Sequence, residues 1–308
     1  MEPVSEGREG AQWKADGALV LLTVFWGLTF VVVKDALAFA DPFTFLTLRF
    51  TLGAVVMSAL AGRRMFTPGL VKKGLLLAVL LFLSFALQTV GLIDTTPSRA
   101  AFLTGLNVLF VPLMSAVVLK RLPRWTTTVG VVLAAVGLYA LTRPSQLEAS
   151  LDGGFRLGNW LSVGCAMTYA GHILLTERFA PGESVRGLVA VQLAGVAVLS
   201  ALCLPFVERR LEPTPMLWGA VVVCGVLASA LAIGVQTWGQ ARTTAVRAAL
   251  IFALEPAFAS AFSVAVGREV LGPQAWAGGA LILMGVLFSE LGPVVWDGWR
   301  ARGRTPAA

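Results

Sequence analysis

Long apolar stretches recur along the chain and are separated by short polar segments. A helix that crosses a membrane needs about 20 mostly apolar residues, and ten stretches come close to or reach that length. The pattern predicts spans at residues 17–36, 43–61, 73–93, 97–119, 127–142, 158–177, 186–206, 216–238, 245–266 and 273–291. We therefore expect an all-α integral membrane protein with ten transmembrane helices.

One stretch of the chain occurs twice. Residues 87–106 read LQTVGLIDTTPSRAAFLTGL and residues 235–254 read VQTWGQARTTAVRAALIFAL, with nine identities at an offset of 148 residues. Each copy covers the end of one predicted span and the start of the next, so the chain divides into two five-helix repeats. The predicted parts are an N-terminal segment at 1–16, repeats at 17–142 and 158–291, a linker at 143–157 and a tail at 292–308.

The two repeats are predicted to be inverted. Each has an odd number of spans, so the second must enter the membrane from the opposite side. Asp94 in the first copy corresponds to Arg242 in the second, which fits a position that changes sides. Basic residues favour cytoplasmic loops. With a cytoplasmic N-terminus, sixteen Lys and Arg residues lie inside and seven outside. Both termini are therefore expected to be cytoplasmic.

Composition supports a membrane protein and excludes several other classes. Hydrophobic residues make up 57% of the chain and charged residues 13%, whereas a soluble domain has about 25% charged residues. The net charge of +7 fits basic cytoplasmic loops, and the absence of a basic face with interleaved aromatic residues argues against nucleic acid. One histidine and three widely spaced cysteines predict no metal site and no disulfide. No P-loop occurs, so no cofactor is expected.

The first span has an alternative interpretation. Residues 36–40 read ALAFA, which is similar to the cleavage site of a signal peptide. The preceding segment mixes acidic and basic residues, and the apolar run is long for a signal sequence. We therefore predict a retained first helix.

Several short motifs occur in order along these spans. They are Trp26-Gly27 and Lys34 in the first span, Leu48-Arg49-Phe50 in the second and Leu254-Glu255-Pro256 in the ninth. With ten spans and duplicated halves, this pattern resembles the EamA family of the drug/metabolite transporter superfamily. The resemblance implies a ten-helix fold and export of amino acids, other metabolites or toxic compounds. Within the family the chain is similar to bacterial exporters of aromatic and other amino acids, which implies a multi-pass protein of the bacterial inner membrane.

Polar side chains at membrane depth are costly and therefore invite a functional interpretation. Glu255 lies mid-span beside Pro256 and corresponds to Asn107 in the first repeat. Its carboxylate is expected to sense protons, to contact a substrate amine or to hold helices together. His172, the only histidine, has an unperturbed pKa near neutrality, so it is a candidate for substrate binding and proton coupling as well as for packing.

Other candidates lie near the predicted midplane. Trp26 and Tyr169 occupy corresponding spans of the two halves and could line a cavity for an aromatic or amphipathic solute. Polar groups with weaker claims to a cavity are Ser84, Thr104, Thr168 and Ser229.

Two repeated pairs are predicted to be structural or gating residues. Gln88 and Gln236 can bond across helices. Arg99 and Arg247 follow paired threonines that favour helix N-caps, and they are expected to be anchors at opposite faces or parts of a gate. Pro256 joins this group because it removes a backbone donor. Small residues, including Gly130, Ala134, Gly278 and Gly285, mark either helix packing or a dimer face.

The predicted function is secondary transport of a small-molecule substrate by a monomer or homodimer in the lipid bilayer. Inverted repeats place a substrate site near the midplane, and energy would come from a proton gradient or from the substrate gradient alone. A sugar-phosphate or nucleotide-sugar exchanger and a drug efflux carrier are the alternatives. Arg49 and Lys34, the candidate phosphate ligands, are predicted to lie nearer a membrane face. An intramembrane enzyme and a channel are disfavoured, because the chain lacks paired catalytic groups and builds its symmetry internally.

Overall fold

A computed structural model gives the fold of the chain at residues 4–62, 67–118, 120, 122–142, 157–267, 270 and 272–302. The predicted linker lies outside these residues except for residue 157, and so does the end of the predicted tail from residue 303. The described residues form thirteen α-helices and no β-strand. This agrees with the all-α prediction.

The helices follow one another with short connections. Their bounds are α1 Val4–Ala36, α2 Pro42–Ala61, α3 Pro68–Gly91, α4 Pro97–Gly105, α5 Asn107–Val118, α6 Trp125–Thr142, α7 Leu157–Phe179, α8 Val185–Cys203, α9 Pro215–Val222, α10 Ala232–Gln240, α11 Ala245–Phe252, α12 Glu255–Ala265 and α13 Pro273–Arg302. A 3₁₀ turn at Leu204–Phe206 follows α8, and a π-helical segment at Val223–Leu231 joins α9 to α10.

Seven helical segments within the described ranges are long and apolar enough to cross a membrane. They are Gln12–Ala36, Pro42–Ala61, Pro68–Gly91, Pro97–Val118, Val185–Phe206, Pro215–Gln240 and Ala245–Ala265. Shorter apolar helices at Trp125–Ala140 and Trp276–Ser289 fall in two more predicted spans. The remaining predicted span forms α7, which is 23 residues long and carries several polar side chains. The protein is therefore a multi-pass membrane protein.

Two predicted spans are broken rather than continuous. Helices α4 and α5 replace one of them, and α11 and α12 replace the other. The breaks end at Leu106 and Leu254, which are equivalent positions of the repeat. There the peptide N–H groups bond the carbonyl three residues back, at 3.3 Å for Leu106 and 3.1 Å for Leu254. Asn107 and Glu255 consequently become the first residues of α5 and α12.

Glycines bring α6 and α13 into direct backbone contact. A Cβ on Gly130 would lie 2.6 Å from the Gly285 carbonyl oxygen, and one on Gly137 would lie 2.6 Å from the Gly278 carbonyl oxygen. Gly278 and Gly285 are the repeat equivalents of Gly130 and Gly137, so the contacts are reciprocal, as a two-fold relation requires. These glycines pack two helices of one chain, which decides between the two predicted roles in favour of intramolecular packing.

The two ends of the helix bundle are held by different polar contacts. At one end, named the Lys34 end, Lys34 Nζ donates to the carbonyl oxygens of Leu92, Ile93 and Thr95 at 2.6, 2.9 and 3.1 Å. At the opposite end, named the Arg247 end, Arg247 forms an ion pair with Asp16 at 2.8 Å. The cavity described next lies between these two ends.

Candidate functional site

A cavity opens between helices of both halves of the chain. It contains about 470 Å³ of empty space including its opening. Its walls come from α1, α2, α3, α4, α5, α7 and α12. The lining residues are Trp26, Thr29, Phe30, Arg49, Ser84, Phe85, Gln88, Thr104, Asn107, Cys165, Tyr169 and Glu255.

Arg49 supplies a cation to this cavity. The residue is 2% exposed, and its Nε donates to Ser229 Oγ at 2.8 Å. Its guanidinium carbon lies 4.6 Å from the centre of the Phe85 ring and 5.2 Å from that of Phe50. Among the residues that the structure describes, no carboxylate pairs with Arg49. The guanidinium is therefore buried on aromatic faces and presents positive charge to the cavity.

Glu255 supplies a carboxyl group to the same cavity. It is partly buried, begins α12 and is followed by Pro256, which suits the first turn of a helix. A negative charge is stabilised at a helix N-terminus by the helix dipole. Its repeat equivalent Asn107 begins α5, is 3% exposed and has an Oδ1 atom without a hydrogen-bond partner in the described structure. The two broken helices thus direct a carboxylate and an amide at the same cavity.

Three aromatic rings pack together beside the cavity, and two of them, Trp26 and Tyr169, line it. The ring centres of Trp26 and Tyr169 are 6.0 Å apart, and those of Trp26 and Phe252 are 5.4 Å apart, both in edge-on arrangements. Trp26 Nε1 also donates to the Ala228 carbonyl oxygen at 3.2 Å. We call these three residues the aromatic wall. It gives the cavity an apolar surface, which is held in place by the hydrogen bond that Trp26 donates to Ala228.

The structure brings most of the predicted site residues together. The cavity is lined by Trp26, Ser84, Gln88, Thr104, Asn107, Tyr169 and Glu255. Thr168 and Ser229 lie behind the wall: Thr168 Oγ1 is 3.0 Å from Ser84 Oγ, and Ser229 accepts the bond from Arg49. Pro256 packs on the first broken helix, since a Cβ on Gly105 would lie 3.0 Å from its Cγ.

His172 and Gln236 lie outside the cavity lining. His172 stacks on Tyr169, with ring centres 5.7 Å apart and planes 8° apart, on the side toward the Arg247 end. Its Nε2 is 2.8 Å from Gln192 Oε1. Gln236 Nε2 donates to Gln240 Oε1 at 2.8 Å. The repeated glutamines therefore occupy different surroundings, with Gln88 in the cavity and Gln236 in closed packing.

The paired threonines and arginines of the repeat have the same local geometry at the starts of α4 and α11. Thr96 Oγ1 accepts from the Arg99 N–H and Thr244 Oγ1 from the Arg247 N–H, both at 3.3 Å, so both threonines are N-caps as predicted. Arg247 additionally pairs with Asp16, which is buried on α1. This pair links α11 to α1 at one end of the bundle, and the roles of anchor and gate both stay predictions.

Sequence reasoning missed several cavity residues. Arg49 was expected nearer a membrane face, but the structure places its side chain in the cavity wall. Phe85 and Cys165 were also not anticipated, and Phe252 completes the aromatic wall. The signal that could have indicated Arg49 was its depth inside an otherwise uncharged apolar helix. Charges at such depth usually face a protein interior.

The described residues offer no cluster of metal ligands, and one free thiol, that of Cys165, lies in the cavity lining. They contain no group of three or more His, Cys, Asp and Glu side chains that could hold a metal ion. Cys165, Cys203 and Cys224 are free thiols. The chemistry of the cavity therefore comes from one cation, one carboxylate, several hydrogen-bonding groups and aromatic surface.

Comparisons with known proteins agree with this architecture. Residues 13–143 and 156–291 each match the model of the EamA-like transporter family. An uncharacterized transporter of Archaeoglobus fulgidus is 32% identical over 290 residues, covering 92% of this chain and 89% of that protein. The uncharacterized transporter YyaM of Bacillus subtilis is 26% identical, covering 87% of this chain and 91% of the relative.

A solved crystal structure has the same fold. It superposes with a TM-score of 0.74 at 21% sequence identity, covering 91% of this chain and 98% of the solved chain. The family matches span both halves, and the relatives are named as transporters. The chain is a membrane transporter that belongs to the EamA-like transporter family.

Proposed function

We propose that the protein is a secondary transporter that exports amino acids, aromatic ones among them, or related small metabolites. The observation that carries this proposal is a cavity, walled by both family repeats, that holds one guanidinium and one carboxylate. An amino acid presents the complementary charges, a carboxylate and an ammonium group. Arg49 would bind the carboxylate, Glu255 would bind the ammonium group, and the aromatic wall would receive an apolar side chain.

The absence of a mutual ion pair supports two separate binding roles. Within the described residues, Arg49 and Glu255 do not come within ion-pair distance of each other. A buried charge without a partner is strongly unfavourable. A zwitterionic substrate would neutralise both groups at once, which gives its binding a physical basis that a neutral solute lacks.

The alternative substrates fit the cavity less well. A phosphate group is best bound by two or more cationic donors, but Lys34 is bonded to three backbone carbonyls and only Arg49 lines the cavity. A cationic drug would use Glu255 and the aromatic wall and leave Arg49 without a partner. We therefore place exchange of sugar phosphates or nucleotide sugars, and drug efflux, behind amino-acid export. A catalytic role or a channel is disfavoured for the reasons given by the sequence.

The proposed mechanism is alternating access of two inverted five-helix repeats. Reciprocal glycine contacts between α6 and α13, and equivalent breaks before Asn107 and Glu255, support the inversion. Broken helices at the midplane are common at transporter sites. The proposed topology has ten spans, divided at residues 17–142 and 158–291, with both termini in the cytoplasm of a bacterium. Glu255 and His172 stay the proposed coupling residues should a proton gradient drive transport.

Counterflow in proteoliposomes tests the substrate assignment. Vesicles loaded with unlabelled phenylalanine receive labelled phenylalanine, phenylethylamine, which lacks the carboxylate, or phenylpropionate, which lacks the amine. Wild type is expected to accumulate the zwitterion transiently in preference to both analogues. Because a hydrogen bond to a charged group contributes about 1.5–3 kcal/mol, Arg49→Gln should reduce the preference over phenylethylamine by about 10–100-fold. Glu255→Gln should similarly reduce the preference over phenylpropionate.

Controls separate binding from coupling and from misfolding. Glu183→Gln removes a carboxylate at the Arg247 end, outside the cavity, and should leave the preferences unchanged. Unchanged counterflow in Glu255→Gln with loss of pH-driven uptake would assign this residue to coupling and contradict its role as an amine ligand. No accumulation of any amino acid by intact protein would overturn amino-acid transport.

A further inference from the structure

A group of polar side chains is closed off on the Arg247 side of the aromatic wall. We call it the inner polar cluster, defined as His172, Gln192, Gln236 and Gln240. Besides the bonds already described, Gln240 Nε2 donates to the Ile173 carbonyl oxygen at 3.1 Å. Each member is at most 1% exposed. Four polar side chains are thus packed in the membrane interior without access to the cavity.

The inner polar cluster is incompletely satisfied. His172 Nδ1 and Gln192 Nε2 are buried and have no hydrogen-bond partner among the described residues, and the same holds for Thr176 Oγ1 and Thr237 Oγ1 beside them. A buried polar group without a partner costs about 1–3 kcal/mol. Simple helix packing would be stronger with apolar residues at these positions, so the packing seen here does not explain the cluster.

The repeat relates the inner polar cluster to the cavity. The offset of 148 residues pairs Gln88 of the cavity with Gln236 of the cluster. The first span of each half follows a different offset, of 143 residues, which pairs Trp26 with Tyr169 and also pairs Thr29 of the cavity with His172. In transporters built from inverted repeats, the halves exchange conformations when the site changes sides. The cluster therefore occupies the place that the cavity wall would take in the other conformation.

We propose that the inner polar cluster is the closed half of the substrate pathway: a second chamber that opens at the Arg247 end and binds the same zwitterionic substrate through neutral amide and imidazole groups. This inference rests on the proposed function. Tyr169 serves both chambers, because it lines the cavity and stacks on His172. The second chamber would offer His172 and Gln192 as hydrogen-bonding groups where the first offers the charge of Arg49.

Two contacts close this chamber at the Arg247 end. Glu177 Oε2 accepts from the Ala245 N–H at 3.0 Å, and Asp16 pairs with Arg247 at 2.8 Å. The first contact ties the start of α11 to α7, and the second ties it to α1. The register that pairs Trp26 with Tyr169 pairs Glu177 with Lys34, which binds carbonyl groups of the equivalent turn. At the Arg247 end, the acidic side chain of Glu177 accepts a bond from a backbone N–H group. At the Lys34 end, the basic side chain of Lys34 donates bonds to backbone carbonyl groups.

Thiol labelling of the cluster tests the proposal. In a background of Cys165→Ala, Cys203→Ala and Cys224→Ala, Gln192→Cys is exposed to an impermeant maleimide at the Arg247 end. Adding Glu177→Leu, which removes the acceptor of the Ala245 N–H, should raise its labelling rate by about tenfold, the effect of shifting a two-state population by one hydrogen-bonded contact. Leu193→Cys on the same helix is fully buried beside Gly53 and should stay unlabelled in both backgrounds.

The outcomes distinguish this inference from the proposed function. If counterflow of amino acids is active but Gln192→Cys stays unlabelled in both backgrounds, the second chamber is wrong and the transport proposal stands. Equal labelling of Gln192→Cys and Leu193→Cys also overturns the chamber. If Gln192→Cys is labelled but no amino acid shows counterflow, the second chamber stands and the amino-acid substrate is overturned. Should Gln192→Cys fail to fold, Thr237→Cys on α10 replaces it, with the same expected result.

Discussion

Arg49 is a buried cation whose described contacts are one hydroxyl group and two aromatic rings. Arginine tolerates such surroundings better than lysine, because its planar guanidinium is weakly hydrated and stacks on aromatic faces. These contacts hold the side chain in one direction but do not neutralise it. The residue therefore creates a positive potential in the cavity, which favours a substrate carboxylate and disfavours a purely cationic solute.

Lys34 provides the first prediction at the level of single residues. Lys34→Met removes three bonds to the turn between α3 and α4. After screening by solvent, their combined contribution is on the order of 1–3 kcal/mol. Opening of the Lys34 end should become easier. We expect an impermeant thiol reagent applied at that end to label Cys165, which lines the cavity, about tenfold faster than in wild type.

A matched substitution tests whether this effect is local. Lys73→Met removes another amine, which pairs with Glu183 at 2.7 Å near the opposite end of the bundle. It should leave the labelling rate of Cys165 unchanged, with Cys203→Ala and Cys224→Ala in both proteins. A rate that is unaffected by Lys34→Met would exclude Lys34 as a closing contact of the cavity.

At the level of helices, the two breaks determine where the polar groups of the site can be placed. In a continuous helix, the backbone N–H and carbonyl groups would bond one another, and Asn107 and Glu255 would lie in the middle of the helix. The breaks begin new helices at Asn107 and Glu255, so each polar side chain lies at a helix N-terminus. The carboxylate of Glu255 gains from this location, while the neutral Asn107 leaves the equivalent position without charge.

The packing of α6 against α13 gives a prediction with a control on the same helix. In Gly285→Ala, the new Cβ would lie 2.6 Å from the Gly130 carbonyl oxygen and 3.0 Å from the Ala134 nitrogen. Overpacking of this kind typically costs about 1–3 kcal/mol. We expect a lower thermal unfolding temperature in detergent.

Gly279→Ala is the matched control, because its Cβ would meet no atom within 4 Å. Alanine is favoured over glycine in a helix by about 0.5–1 kcal/mol, so this variant should be as stable as wild type or slightly more stable. Equal destabilisation by the two substitutions would show that close packing is not the function of Gly285.

At the level of the whole molecule, apolar patterning predicted where most helices lie but not how they meet. Length and hydropathy located the helical segments because each segment must form its backbone hydrogen bonds internally in an apolar medium. The breaks at Leu106 and Leu254 escaped prediction because each lies inside an apolar stretch that is long enough to cross the membrane as one helix. Pro256 was the local signal for the break at Leu254. The break at Leu106 could have been inferred only from the equivalence of the two positions in the repeat.

The candidate site was predictable in part, for a related reason. Trp26, Asn107 and Glu255 were selected by depth and by repetition, and all line the cavity. Arg49 and Phe252 were missed because sequence gives a position along a helix but not the direction of the side chain. That direction depends on contacts with distant segments, such as Ser229 for Arg49. His172 was selected by its chemistry, but its contacts place it beyond the aromatic wall.

Asp94 and Arg242 offer a direct test of the inverted architecture, because they are equivalent in sequence and both exposed. If the repeats are inverted, these two residues lie on opposite faces of the membrane, with Arg242 on the cytoplasmic side where basic residues are favoured. In a cysteine-free background, an impermeant reagent applied to whole cells should label Asp94→Cys and should reach Arg242→Cys only after lysis. Labelling of both from outside would require parallel repeats and would contradict the inverted topology, together with the alternating exchange of halves on which the second chamber depends.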